Sequence, residues 1–108
     1  MKPLICCLLL SISIAAAPAK QRFTGVITDS MCATANHSQM QMGPTDAECT
    51  IACIREHGAE YMLFDGTHAY ILSDQKTPEQ FAGKKVTVTG TLDEKTHKIK
   101  VDSIKAAK

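Results

Sequence analysis

Apolar and polar residues alternate regularly along the last quarter of the chain. From residue 85 to 92 every second position is apolar or glycine, and the same period of two returns at Ile99 and Val101 before Ile104. Such alternation is typical of strands that bury one face and expose the other, so two strands are predicted here. Gly90 interrupts the apolar face of the first strand and predicts a bulge or a sharp bend.

Three more strands are predicted upstream of this pair. Residues 61–64 and 69–72 are short apolar runs on either side of Asp65-Gly66. This pattern predicts a hairpin whose Asp-Gly turn supplies positive φ angles. A further short strand is predicted over residues 23–28.

Two segments carry helical signals. Residues 47–57 are compatible with a helix, because Thr45 and Glu48 form a capping box at its start. Gly58 follows at the position that favours a left-handed backbone conformation. Residues 77–83 predict a helix of one to two turns, since they open with a cap and a proline and close with a glycine.

The order of these elements predicts a small, mainly β domain. Five strands with a short helix between the third and fourth are typical of an OB-fold-like β-barrel. Residues 30–46 show no period, so residues 30–58 form a loop and helix inserted after the first strand. An α+β sheet with one face covered by the helix over 47–57 is the alternative. The length of 108 residues allows one domain and excludes Rossmann and parallel-barrel folds.

Residues 1–19 have the three-part plan of a secretory signal: a positive start, an apolar run over 4–14, and small residues at the end. The apolar run is short for a bilayer span, and a retained membrane anchor is the alternative. Cleavage is expected after Ala19 or after Ala17. We therefore expect residues 20–108 to be one exported domain, periplasmic or secreted, without stable membrane insertion.

Charge and composition narrow the possible partners. Twelve Lys and Arg against eleven Asp and Glu give a net charge of +1, which falls to zero when Lys2 leaves with the signal peptide. Oligonucleotide binding needs a basic groove with stacking aromatic side chains, and aromatic residues are 5% of this chain. We therefore expect no nucleic-acid partner. No carboxylate pair or Ser-His-Asp arrangement stands out, so the domain is predicted to be non-enzymatic.

A set of motifs is spread over the chain. They are GVITDSMC (25–32), His37, MQMG (40–43), ECTIAC (48–53), YMLFDG (61–66), KKVTVTGTL (84–92) and IKVDSI (99–104). Together they resemble a family of small exported bacterial proteins with a Cys/His insert, and the cysteine motif is the most specific part. The last two strands are also similar to those of bacterial periplasmic OB-fold proteins. The resemblance implies a fold and a compartment but no particular reaction.

Three cysteines remain after signal cleavage: Cys32 lies in the loop of the insert, and Cys49 and Cys53 lie in the predicted helix. Cys49 and Cys53 are four residues apart, so their side chains share one helix face and can converge on a third atom. Cys32 and His37 in the preceding loop complete the pattern Cys-x4-His-x11-Cys-x3-Cys. Three thiolates and an imidazole are a tetrahedral zinc set. These residues therefore predict a site for a soft or borderline metal ion, zinc or copper.

Neighbouring residues bear on the identity of the metal. Met40 and Met42 lie in the same insert, and thioether ligands suit Cu(I) better than zinc. His57 is a further possible ligand, although a histidine in the last turn also interacts favourably with the helix dipole. Asp29 and Ser30, just before the insert, are interpreted as loop-capping residues.

Two other hypotheses use the same cysteines. An exported setting favours oxidation, so Cys32 can form a disulfide with Cys49 or Cys53 and pin the insert to the helix. Closing a loop of ~20 residues stabilises a domain by about 3 kcal/mol. The chain is then a disulfide-stapled interaction module for an unknown protein partner, and the odd cysteine count leaves one thiol over. A thiol-redox protein is the third hypothesis.

Overall fold

The computed structural model describes residues 19–36 and 44–107. It is a mainly β domain with five strands and one α helix. The strands are β1 (Gln21–Asp29), β2 (Tyr61–Phe64), β3 (Ala69–Leu72), β4 (Lys85–Asp93) and β5 (Lys98–Ala106), and helix α1 is Asp46–His57. In this part of the chain, no helix is long and apolar enough to cross a membrane.

The five strands close into a ring with the order β1-β2-β3-β5-β4, and β4 pairs again with β1. The first part of β1 pairs with β4 and its last part pairs with β2. Neighbouring strands are antiparallel except β3 and β5, which pair in parallel at Ile71–Lys98 and Leu72–Ile99. This closure pairs the strand edges that an open sheet would expose.

The apolar core lies inside the ring, where alternate strand residues meet. Its fully buried aliphatic side chains are Ile27, Leu63, Leu72, Val86, Val88 and Ile99. Helix α1 packs against this core through Ala47, Ile51 and Ile54. The buried apolar side of α1 therefore fixes the helix against the ring.

The predicted strand positions are confirmed. β2 and β3 have the predicted bounds, and the other three strands extend slightly beyond them. The bulge at Gly90 is also confirmed, because the register of β4 on β5 shifts between Thr89 and Gly90. A Cβ atom on Gly90 would lie 2.2 Å from the Lys100 carbonyl oxygen, so only glycine fits this close approach.

Helix α1 starts and ends as its sequence predicts. The Thr45 hydroxyl accepts a hydrogen bond from the Glu48 N–H at 3.2 Å. Gly58 has a φ of 66° and donates its N–H to the Cys53 carbonyl. These local interactions satisfy backbone groups at both helix ends.

The prediction for the turn between β2 and β3 is wrong in detail. Gly66 has a positive φ of 101°, but Asp65 does not have a positive φ, and the strands are joined by a four-residue loop. The Asp65 Oδ1 instead accepts the N–H groups of Thr67 and His68, at 2.8 and 2.6 Å. The Asp65 side chain therefore stabilises the turn by accepting backbone N–H groups, and a positive φ at Asp65 is not needed.

The second predicted helix is a 3₁₀ helix, Thr77–Phe81. Thr77 is not its cap, because the helix follows Lys76, which makes no capping side-chain bond. The Asp74 Oδ1 accepts the N–H groups of Lys76 and Thr77, at 2.9 and 3.0 Å. The turn therefore forms around an aspartate three residues earlier than the predicted cap.

Candidate metal centre

The buried side of helix α1 carries two of the three cysteines. Cys49 and Cys53 are 1% and 0% exposed, and Thr50 is buried on the same side. The two thiols hydrogen-bond to each other. This contact is expected of side chains four residues apart on one helix face. The helix thus presents two sulfur atoms together toward the interior.

Cys32 is held by the turn that ends β1. The Asp29 Oδ1 accepts the N–H groups of Met31 and Cys32, each at 3.0 Å. The Thr28 hydroxyl donates to the Cys32 carbonyl at 2.6 Å, and the Ala35 N–H donates to the same carbonyl at 2.8 Å. Cys32 is 7% exposed. This network therefore fixes the backbone of a buried cysteine.

The three sulfur atoms belong to one electrostatic cluster. Burial raises the pKa of Cys53 to about 12, and negative charge on Asp29, Cys49 and Cys32 adds to the increase. Burial also raises the pKa of Cys32, again with contributions from Asp29 and Cys49. Groups that act on each other in this way lie near one another. The fold therefore places the loop cysteine within electrostatic range of the helix pair.

Asp29 adds a carboxylate to this cluster. The interpretation of Asp29 as a loop cap accounts for Oδ1 alone. The side chain is 0% exposed, and its Oδ2 has no hydrogen-bond partner among the described residues. The hydroxyl of Thr50 is also buried without a hydrogen-bond partner among the described residues. Because native proteins pair nearly all buried polar atoms, both oxygens require an explanation.

Of the other predicted ligands, His57 is the one that lies among the described residues. Three of them lie outside the described residues, where their role stays a prediction: His37, Met40 and Met42. His57 is exposed at the end of α1. The Ser30 hydroxyl accepts the Glu60 N–H at 3.0 Å, so this bond joins the end of β1 to the residue before β2 and does not cap the loop that follows Ser30.

The Cys49 and Cys53 thiols contact each other, but the cluster is not arranged as a set of metal ligands. Within residues 19–36 and 44–107, no group of three or more His, Cys, Asp or Glu side chains could hold a metal ion as placed. No disulfide joins the cysteines in the same ranges. Metal binding and disulfide formation therefore both require the cysteine side chains to turn.

A second feature is a surface cavity of about 950 Å³ near the turn between β4 and β5. Charged residues of both signs line it, and they are Asp93, Glu94, Lys95, Lys98 and Lys100. None of the cysteines is among its described lining residues. This mixture of charges indicates no class of ligand.

Comparisons with known proteins do not assign a family. No protein-family model, curated protein or solved structure matches this chain. The resemblance to small exported proteins therefore stays a prediction. Function has to be argued from the cysteine cluster itself.

Proposed function

We propose that this chain is a small non-enzymatic domain that binds a soft or borderline metal ion, zinc or copper, through Cys32, Cys49 and Cys53. The supporting observation is that cysteines from two separate segments are buried in one electrostatic cluster. Three thiolates match the ligands of structural zinc sites, and soft sulfur ligands also select Cu(I). His37 is the fourth ligand that the sequence offers.

Metal binding reverses the electrostatics of the cluster. In the metal-free protein, burial and neighbouring negative charge raise the pKa of Cys53 to about 12, so this thiol is protonated at neutral pH. A bound cation displaces the proton and stabilises the thiolate. Cys32, Cys49 and Cys53 would hold the ion after rotation about χ1, which leaves the backbone hydrogen bonds of the turn and of helix α1 in place.

The scaffold in this proposal is an OB-like barrel. Two features support it: the closed order of five strands and the 3₁₀ helix between β3 and β4. We further propose that residues 1–19 direct export. Export would bring the thiols into an oxidising compartment, where a bound ion protects them from oxidation.

Metal loading of the full chain tests the proposed function. Reduced protein is titrated with Zn²⁺ and with Cu(I) against a competing chelator, and bound metal is counted by native mass spectrometry. We expect one ion per chain, and an affinity at least about tenfold lower in Cys32→Ala, Cys49→Ala and Cys53→Ala. Ile54→Val changes packing on the same helix without removing a sulfur, so its affinity should equal that of the wild type.

Absence of bound metal in the wild type would overturn the proposal. An intact mass that lacks two thiol hydrogens would then support the disulfide alternative, in which Cys32 pairs with Cys49 or Cys53. Rapid exchange of these cysteines with glutathione would support the thiol-redox alternative instead.

A further inference from the structure

The two carboxylate oxygens of Asp29 have different surroundings. Asp29 is the last residue of β1 and is wholly buried. Its Oδ1 accepts the N–H groups of Met31 and Cys32, whereas its Oδ2 has no partner among the described residues. The turn uses Oδ1 alone, and an asparagine would supply the same acceptor. Capping therefore leaves the second oxygen unexplained.

The Asp29 carboxyl group borders the cysteine cluster. The Asp29 carboxyl group bonds to the N–H of Cys32 itself at 3.0 Å, and its negative charge acts on both Cys32 and Cys53. A second buried oxygen without a described partner, on Thr50, lies on the side of α1 that carries the cysteine pair. A buried carboxylate oxygen without a partner is unfavourable, and a cation bound there would remove that cost.

We propose that the Asp29 Oδ2 is the fourth ligand of the ion held by Cys32, Cys49 and Cys53, which makes the site one for a divalent cation of the zinc class. This inference rests on the proposed function and names its ion. A carboxylate oxygen is an ordinary zinc ligand, whereas Cu(I) is selected by thiolates and thioethers. A divalent ion also neutralises more of the surrounding negative charge than a monovalent ion does.

The variant Asp29→Asn tests the role of Oδ2 separately from that of Oδ1. Asparagine keeps the oxygen acceptor for the turn and replaces Oδ2 with an amide nitrogen. The full chain and this variant are titrated with Zn²⁺, Co²⁺ and Cu(I) under reducing conditions. We expect the Zn²⁺ and Co²⁺ affinities to fall by at least about tenfold. The Cu(I) affinity should change much less, since three thiolates suffice for that ion. Ile54→Val, which changes packing on helix α1 without removing a ligand, is the matched comparison and should keep the Zn²⁺ affinity of the wild type.

X-ray absorption of the zinc-loaded wild type gives a readout that does not depend on how any variant folds. We expect three sulfur ligands at about 2.3 Å and one oxygen ligand at about 2.0 Å. The outer-shell scattering that an imidazole ring produces should be missing.

The outcomes separate this inference from the proposed function. Equal Zn²⁺ affinities of Asp29→Asn and the wild type would overturn the assignment of Asp29 and leave metal binding in place. The assignment of Asp29 would also be overturned if the wild type showed imidazole scattering and His37→Ala lost zinc. These two results would identify His37 as the fourth ligand. A wild type that binds none of the three ions would overturn both proposals.

Discussion

At the residue scale, the local sequence predicts the backbone role of Asp29 but not the burial of its second oxygen or the position of Cys32. An aspartate shortly before a loop predicts a cap, and its Oδ1 does accept the Cys32 N–H. The burial of its other oxygen could not be predicted, because Asp29 pairs with Tyr61, a residue on a strand far along the chain. Likewise, the spacing of Cys49 and Cys53 predicts that they share a helix face. The approach of Cys32 to that face depends on the whole fold.

Replacement of Thr50 by valine tests whether its hydroxyl is a buried polar group without a partner in the metal-free protein. Such a group costs about 1–3 kcal/mol, and valine has nearly the same shape. We expect Thr50→Val to raise the free energy of unfolding in urea by about 1 kcal/mol. Thr50→Ser retains the hydroxyl and serves as the comparison. A valine variant less stable than the wild type would show that the hydroxyl has a partner.

Alkaline solution should destabilise the reduced, metal-free protein through Cys53. Burial and neighbouring negative charge raise its pKa from 9.0 to about 12 in the folded state. Because this pKa lies above the unfolded value, the stabilising contribution is complete below pH 9 and is lost as the pH rises toward 12. The free energy of unfolding should fall by at most about 1.4 kcal/mol per pH unit from this group.

Cys53→Ala isolates that contribution, because the variant differs from the wild type in this one ionisable group. Urea unfolding between pH 9 and pH 12 should give a shallower pH dependence for the variant than for the wild type. Identical slopes would mean that Cys53 ionises as readily in the folded protein as in the unfolded one.

At the element scale, helix α1 was predictable because its signals are local. Thr45 lies three residues before Glu48, and Gly58 follows the last turn, so neighbouring residues determine both ends. The 3₁₀ helix was predicted less well. Its first N–H groups bond to Asp74, which lies before the apparent cap Thr77 and outside the predicted helix.

Replacement of Asp74 tests this assignment. Burial by itself would raise the pKa of Asp74, but hydrogen bonds from Thr77 and Lys76 outweigh it and lower the pKa below its ordinary value. The carboxylate therefore stabilises the fold above the unfolded-state pKa, and this contribution is lost as the pH falls through the lower folded-state pKa. We expect the free energy of unfolding of Asp74→Ala to be about 1 kcal/mol lower than that of the wild type at pH 7.

The difference between Asp74→Ala and the wild type should narrow below about pH 4, as measured by urea unfolding at several pH values. Asp74→Asn keeps an oxygen acceptor and should lose less stability at pH 7. A difference independent of pH would contradict a role for the ionised carboxylate.

At the scale of the whole molecule, closure of the ring creates the candidate site. β1 pairs with β4 and β2 at once, and the turn after it holds the buried Cys32 within electrostatic range of Cys49 on α1. The alternating pattern predicts that each strand exists. It does not predict the parallel pairing of β3 with β5, which joins segments separated by the whole of β4. The order of the ring therefore had to come from the structure.

The central claim is that one ion joins the sulfur of the β1 turn to the two sulfurs of helix α1. The most direct measurement is the absorption spectrum of the reduced full chain during titration with Co²⁺. We predict a sulfur-to-cobalt charge-transfer band that saturates at one ion per chain and weakens when Cys32, Cys49 or Cys53 is changed to alanine. A spectrum without this band, or a band of full strength in Cys32→Ala, would contradict the claim.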